Sequence, residues 1–110
     1  MAVTVTMEAD AQVKKPEVRI VETGAFLRIT KTMEAGERFV VCTVYGQKSV
    51  IYYHYHGDGA GENGFRYLSP DSDMNMELLP GVNTLRYIAE ENREGLRVSV
   101  SAPKGVRAGV

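Results

Sequence analysis

His54-Tyr55-His56 is the first place where the residue types and spacing of this chain could do chemistry. On a strand, positions i and i+2 share a face, so both imidazoles would point one way and offer two metal ligands. Asp58 or Glu62, in the adjoining loop, would have to add a third. The plainer reading is a pair of polar residues at the wet end of a strand, and no metal is assigned. A second group is aromatic. Tyr45, Tyr52, Tyr53, Tyr55, Tyr67 and Tyr87 form an aromatic-rich middle. Tyr53 and Tyr55 share one strand face and Tyr52 and His54 the other, so one set belongs to the core. The exposed set, with Asn63, Arg66 and nearby acids, suits a sugar face or a protein neighbour equally. The binding candidates are Tyr53, Tyr55, His54, His56, Asp58, Glu62, Asn63 and Arg66.

Other chemistry is less well supported. Gly57 to Gly64 holds four glycines in eight residues and reads as a flexible loop. It lacks the Lys-Ser/Thr of a phosphate loop and the ligand spacing of a calcium loop. Asp71, Asp73 and Glu77 are the acids a hydrolase would need, but carboxylates this close in turns are more often caps and turn formers. Cys42 stands alone, which excludes an intrachain disulfide. Its apolar run, Phe39 to Val44, marks it as a small buried hydrophobe and not a nucleophile beside His54. No catalytic residue and no cofactor is assigned, and the chain is expected not to be an enzyme.

The elements that must position these residues are strands. The 110 residues suffice for one domain with a modest core, and 44% hydrophobic with 25% charged residues is a globular composition. A net charge of −1 gives no basic footprint for nucleic acid. Residues 55–91 carry seven acids and two bases, and residues 92–110 one acid and four bases. There is no apolar stretch near membrane-spanning length and no secretory leader pattern, so no membrane partner is expected and folding in a reducing cytoplasm is. Short runs rich in β-branched and aromatic residues lie between turn signals: 3–7, 17–21, 26–32, 38–45, 49–55, 74–79, 82–89 and 96–101. Residues 38–45 should be central, and with 49–55 they form the clearest hairpin. Residues 8–15 read as a connection, 65–68 as a short strand or bridge, and 103–110 as a tail. No window has helical spacing. About eight to nine short strands predict an all-β, antiparallel, jelly-roll-like sandwich with its core in about 14–102.

Leu79-Pro80-Gly81-Val82-Asn83 gives that pattern a register. Pro80 fixes φ and Gly81 supplies the positive φ of a type II turn between two strand-like runs. In order along the chain stand Pro16-Glu17-Val18-Arg19-Ile20, then Phe26-Leu27-Arg28-Ile29-Thr30, then Ala35-Gly36-Glu37. Phe39 to Thr43 and Tyr45-Gly46-Gln47-Lys48-Ser49-Val50 make a hairpin. Ser72-Asp73-Met74 leads to the Pro-Gly corner, Leu96-Arg97-Val98-Ser99-Val100 is the last strand, and Gly105-Val106 follows. This ordered series, over about 14–107, resembles the C-terminal module of the distal tail protein of siphophages and prophages. Cys42 stands where that family has an Asp, Lys104-Gly105-Val106 replaces its aromatic ending, and its large N-terminal belt domain has no counterpart here.

The resemblance implies a galectin-like sandwich in a virion tail tip, assembled in the bacterial cytoplasm. It implies a non-catalytic structural module that docks other tail or baseplate proteins. The alternative is a lectin-like module that reads host cell-surface glycan. A homo-oligomer stays open, and so does whether these residues are one module of a longer protein.

Overall fold

Alternation writes the main sheet. Val3, Val5, Met7 and Ala9 are buried while the residues between them are not, the period of a strand with one packed face. The computed structural model describes residues 1–102, and its strands run in chain order. They are β1 (Thr4–Ala9), β2 (Val13–Lys14), β3 (Glu17–Ile20), β4 (Phe26–Arg28), β5 (Thr32–Met33), β6 (Arg38–Cys42), β7 (Ser49–Tyr53), β8 (Glu62–Asn63), β9 (Leu85–Ile88) and β10 (Leu96–Ser101). Every pairing between them is antiparallel. One sheet has the order β10-β1-β6-β7-β8, a second β4-β3-β9, and β2 pairs with β5. Val5, Met7, Phe39, Val41 and Val50 of the large sheet share one core cluster with Val18, Ile20 and Leu27 of the smaller. Two sheets facing one core make the antiparallel sandwich expected. Each of these side chains contributes about 1.5–3 kcal/mol by leaving water.

The central position of β6 and its hairpin with β7 are as expected, in the register Phe39↔Tyr52 and Val41↔Val50. Other boundaries move. There are ten strands among the described residues, and the packed core starts ahead of residue 14. β1 lies between β10 and β6, and residues 13–14 of the expected connection form β2. The run 26–32 is split. Ile29 bridges to Leu68 and Thr30 N donates to Tyr67 O (2.7 Å), and although Ile29 N still bonds Pro16 O (2.9 Å), Lys15 at φ +50° interrupts the ladder between β4 and β5. Residues 74–79 shrink to a bridge, Ala2↔Glu77, because Asp73 Oδ1 accepts from Asn75 N (2.8 Å) and folds the segment into a turn. Residues 65–68 combine a 3-10 turn, Phe65–Tyr67, with the Leu68 bridge. Cys42 is half-buried, since β6 points Val41 inward and Cys42 outward. It also lies at the opposite end of the β6–β7 hairpin from His54, being paired with Ser49. The predicted tail, 103–110, lies outside the described residues.

The Pro-Gly corner is closed by a side chain and not by strand pairing. Gly81 takes φ +88°. Asn83 Nδ2 donates to Leu79 O (2.9 Å) while its Oδ1 accepts from Leu79 N (2.8 Å). One carboxamide thereby replaces a ladder rung, which explains Asn four residues after Leu.

Glu17 fastens the smaller sheet. Its side chain is 6% exposed and accepts from Arg19 Nε (2.9 Å) and from Arg28 Nη2 (2.7 Å). Both guanidinium groups also sit over the Phe26 ring, at 4.5 and 4.6 Å. Glu17, Arg19, Arg28 and Phe26 thus lock β3 to β4, and a buried charge is tolerated because it is paired. Glu17→Ala is expected to lower stability by about 1–3 kcal/mol, through a lost buried acceptor that leaves Arg19 without a carboxylate and Arg28 with only Asp71. Glu17→Gln should cost less, because it keeps one acceptor. Urea unfolding of the three proteins checks the order.

Candidate functional site

The site grows from the end of β7. Tyr52 faces inward, and its ring stacks on Phe39 at 4.7 Å with 11° between planes. Tyr67 meets both edge-on, at 5.9 and 5.4 Å. These three rings join the core to the surface. Beneath them, Lys31 Nζ donates to Glu37 Oε1 at 2.7 Å. Burial, then hydrogen bonding to Glu37 and its charge, pushes the Tyr52 phenol above its ordinary value, against the opposing pull of Lys31. Burial pulls the Lys31 ammonium down, but the Glu37 bond and charge outweigh it and hold Lys31 above its ordinary value.

Beyond Tyr53 the strand ends, so its alternation no longer governs His54 and His56. That removes the shared face on which a two-histidine metal site depends. The His54 ring lies 4.4 Å from that of Tyr52, and its Nε2 stands 3.3 Å from Glu62 Oε1. Glu62 Oε1 also accepts from Arg66 Nη2 (3.2 Å), which in turn donates to Tyr67 Oη (2.8 Å). Among the described residues no three of His, Cys, Asp and Glu come together as a metal would require.

Asp58 organises the loop. Its Oδ2 accepts from His54 N (3.1 Å), and its Oδ1 from Ala60 N (3.1 Å) and Gly61 N (3.3 Å). These bonds, that from His54 first, hold the carboxyl below its ordinary value against the opposing effect of burial. The turn returns the chain as β8, which pairs Ile51↔Asn63 and Tyr52↔Glu62. The expected flexible loop is therefore partly sheet. Gly61 is required twice over, with φ +64° and with an added Cβ only 2.6 Å from Ile51 Cγ2.

The structure thus brings the His54, Glu62 and Arg66 side chains together, spends Asp58 on the backbone of the turn beside them, and separates the other candidates. Tyr53 lies under the Arg38 guanidinium at 4.1 Å. Asn63 Oδ1 accepts from Phe65 N (2.9 Å) and starts the 3-10 turn. Tyr55 and His56 are exposed on the turn. The hydrolase acids are spent on structure as well. Asp71 is bonded by Ser69 and Arg28, Asp73 caps Asn75, and Glu77 pairs with the N-terminal ammonium at 3.3 Å.

Sequence reasoning missed a different surface. Tyr45 is 92% exposed and Val82 84%, with Val21 and Leu79 also exposed. They belong to one end of the sandwich. Thr43 Oγ1 accepts from Val3 N and donates to Met76 O, Met1 N donates to Leu78 O, and Val21 N donates to Thr84 O. The available signal was an apolar residue inside a turn, Val82 between Gly81 and Asn83.

Two outcomes are expected. Gly61→Ala should destabilise the protein by about 1–3 kcal/mol, through overpacking and a disfavoured φ, as read by thermal unfolding. The Asp58 carboxyl is depressed on folding, so its stabilisation is complete above the ordinary carboxylate range and is lost as pH falls through the depressed value. Protection of the Ala60 and Gly61 amides, taken relative to the intrinsic exchange rate at each pH, should fall in that acid window, and Asp58→Ala should show the same low protection at neutral pH.

A family model described as siphovirus-type tail component, C-terminal domain, matches residues 1–101. No curated protein and no solved structure matches the chain. The matched span begins ahead of β1 and runs through the last residue of β10, so it takes in every strand of the described residues. The chain belongs to the siphovirus-type tail component C-terminal domain family and is a structural component of a phage tail.

Proposed function

We propose that this chain docks neighbouring baseplate or receptor-binding proteins at the tail tip through its apolar loop end, without catalysis. The supporting observation is how its side chains are spent. The acids that would do chemistry are engaged by backbone amides, arginines or the chain terminus, while Tyr45 and Val82 stand in water. Large apolar side chains cost least on a surface that another protein covers, and tyrosine is enriched at such interfaces. Assembly in the bacterial cytoplasm goes with this role.

A second reading is recognition of a saccharide. Tyr55, 62% exposed at the opposite end of the β6–β7 hairpin, supports it, because an open ring beside polar groups can stack on a sugar face. The polar partners there are largely engaged with one another, which favours docking.

The double variant Tyr45→Ala, Val82→Asp should keep its unfolding midpoint, since both side chains are exposed. It should lose incorporation into tails, counted by electron microscopy of particles. Full incorporation would sink the docking reading. Saccharide titration should give no response, and a saturable shift abolished by Tyr55→Ala would favour the second reading instead.

A further inference from the structure

The sandwich guards most of its edges. β4 is covered by the turn at 69–73: Ser69 N donates to Arg28 O and Asp73 N to Phe26 O, each at 2.9 Å. Tyr87 O of β9 accepts from Arg93 Nε at 2.6 Å, and β8 is two residues long. β10 differs. It is six residues long and forms one border of the five-stranded sheet. Asp10 N donates to Gly95 O (2.8 Å). In the register Thr6↔Ser99 this assigns residues 97, 99 and 101 to bonds with β1 and turns the backbone groups of Val98 and Val100 outward. Among the described residues no group bonds that outer row.

The flank beside it is unfinished. Tyr87, Leu85, Val98 and Val100 are only partly buried, and a groove of about 390 Å³ is lined by Tyr87, by Leu96 to Ser99 and by Thr6 and Glu8 of β1. An open edge with half-buried apolar neighbours is a template for another strand.

We propose that the added strand is β10 of a second copy, paired antiparallel and centred on Ser99, so that two five-stranded sheets become one. The strand's own sequence carries the choice of occupant. A two-fold contact sets each residue against the same patch of its partner, so a strand that self-pairs must not oppose like charges. β10 has one charge, Arg97, and it is tied to Glu8 (3.1 Å) and Asp10 (2.8 Å). Centring on Ser99 sets Arg97 opposite Ser101 and Val98 opposite Val100. It bonds the outward rows and joins the apolar flanks. Centring on Val98 would drive Ser101 against the 3-10 turn Arg93–Gly95, and centring on Arg97 would oppose two cations. This contact is distinct from the apolar loop end and stands without it.

Light scattering of the whole chain over about 1 μM to about 1 mM should show the mass rising from 12.1 kDa toward twice that value. Ser99 is exposed, so Ser99→Lys and Ser99→Glu should fold normally by circular dichroism. Each alone should stay at the single-chain mass, because like charges then face each other across the two-fold. An equal mixture of the two should recover the doubled mass. A wild-type chain that keeps one-chain mass at every concentration overturns the proposal. So does either variant doubling its mass alone, and Ser99→Glu doing so would point to a register against Arg97.

Discussion

Everything in this fold depends on β1 being hydrogen-bonded on both sides. Thr4 pairs with Ser101 on one flank and with Cys42 on the other. The first strand is thus held by the last strand and by the middle of the chain. Such contacts repay their loop-closure entropy late, since the chain must come together before they form. What makes them worthwhile is the buried row Val3, Val5, Met7 and Ala9, which the two neighbours seal against the smaller sheet. Once β1 is seated, Thr43 binds both Val3 and Met76, and the chain's start is fastened to the loop that carries the Pro-Gly corner.

The polar residues divide their work accordingly. Glu17 holds β3 to β4, Asp58 shapes the return into β8, Asp71 and Ser72 cover the edge at Arg28, and Asn83 closes its own corner. In each case a short side chain satisfies backbone donors or guanidinium groups that a sandwich with few long strands would leave open. A module built this way has its polar chemistry turned on itself. Its outward offerings are apolar loop tips at one end, Tyr55 at the other, and an open strand edge, which are features suited to assembly.

Much of the sandwich was legible. The alternation of 96–101, the apolar run at 38–42 facing 49–53, and the Pro-Gly and Gly46 turns are local signals, and each marks an element that formed. Strand ends were less so. Residues 8–15 are polar and read as a connection, yet β1 extends to Ala9 because Leu96 pairs with it on one side and Glu37 O accepts from its N–H on the other. β8 is Glu-Asn among glycines and carries no β propensity, so it exists because β7 supplies a partner and Asp58 aims the chain at it. Residues 74–79 have the apolar content of a strand but find no long edge, and Asp73 bends them.

The candidate site divides the same way. Residue types alone told that His54, Asp58, Glu62 and Arg66 were polar groups near a turn, and that one set of tyrosines would be core. Composition and spacing by themselves determined the class of fold, its hairpin and its tight corners, since those depend on side-chain period and backbone preference over a few residues. Only the tertiary structure decided which carboxylate meets which cation, that His54 and His56 share no strand face, that β10 is left as an edge, and that Tyr45 and Val82 are exposed at one end. Those outcomes depend on where each strand stops and which strand lies beside it, and that is set by packing across the whole chain.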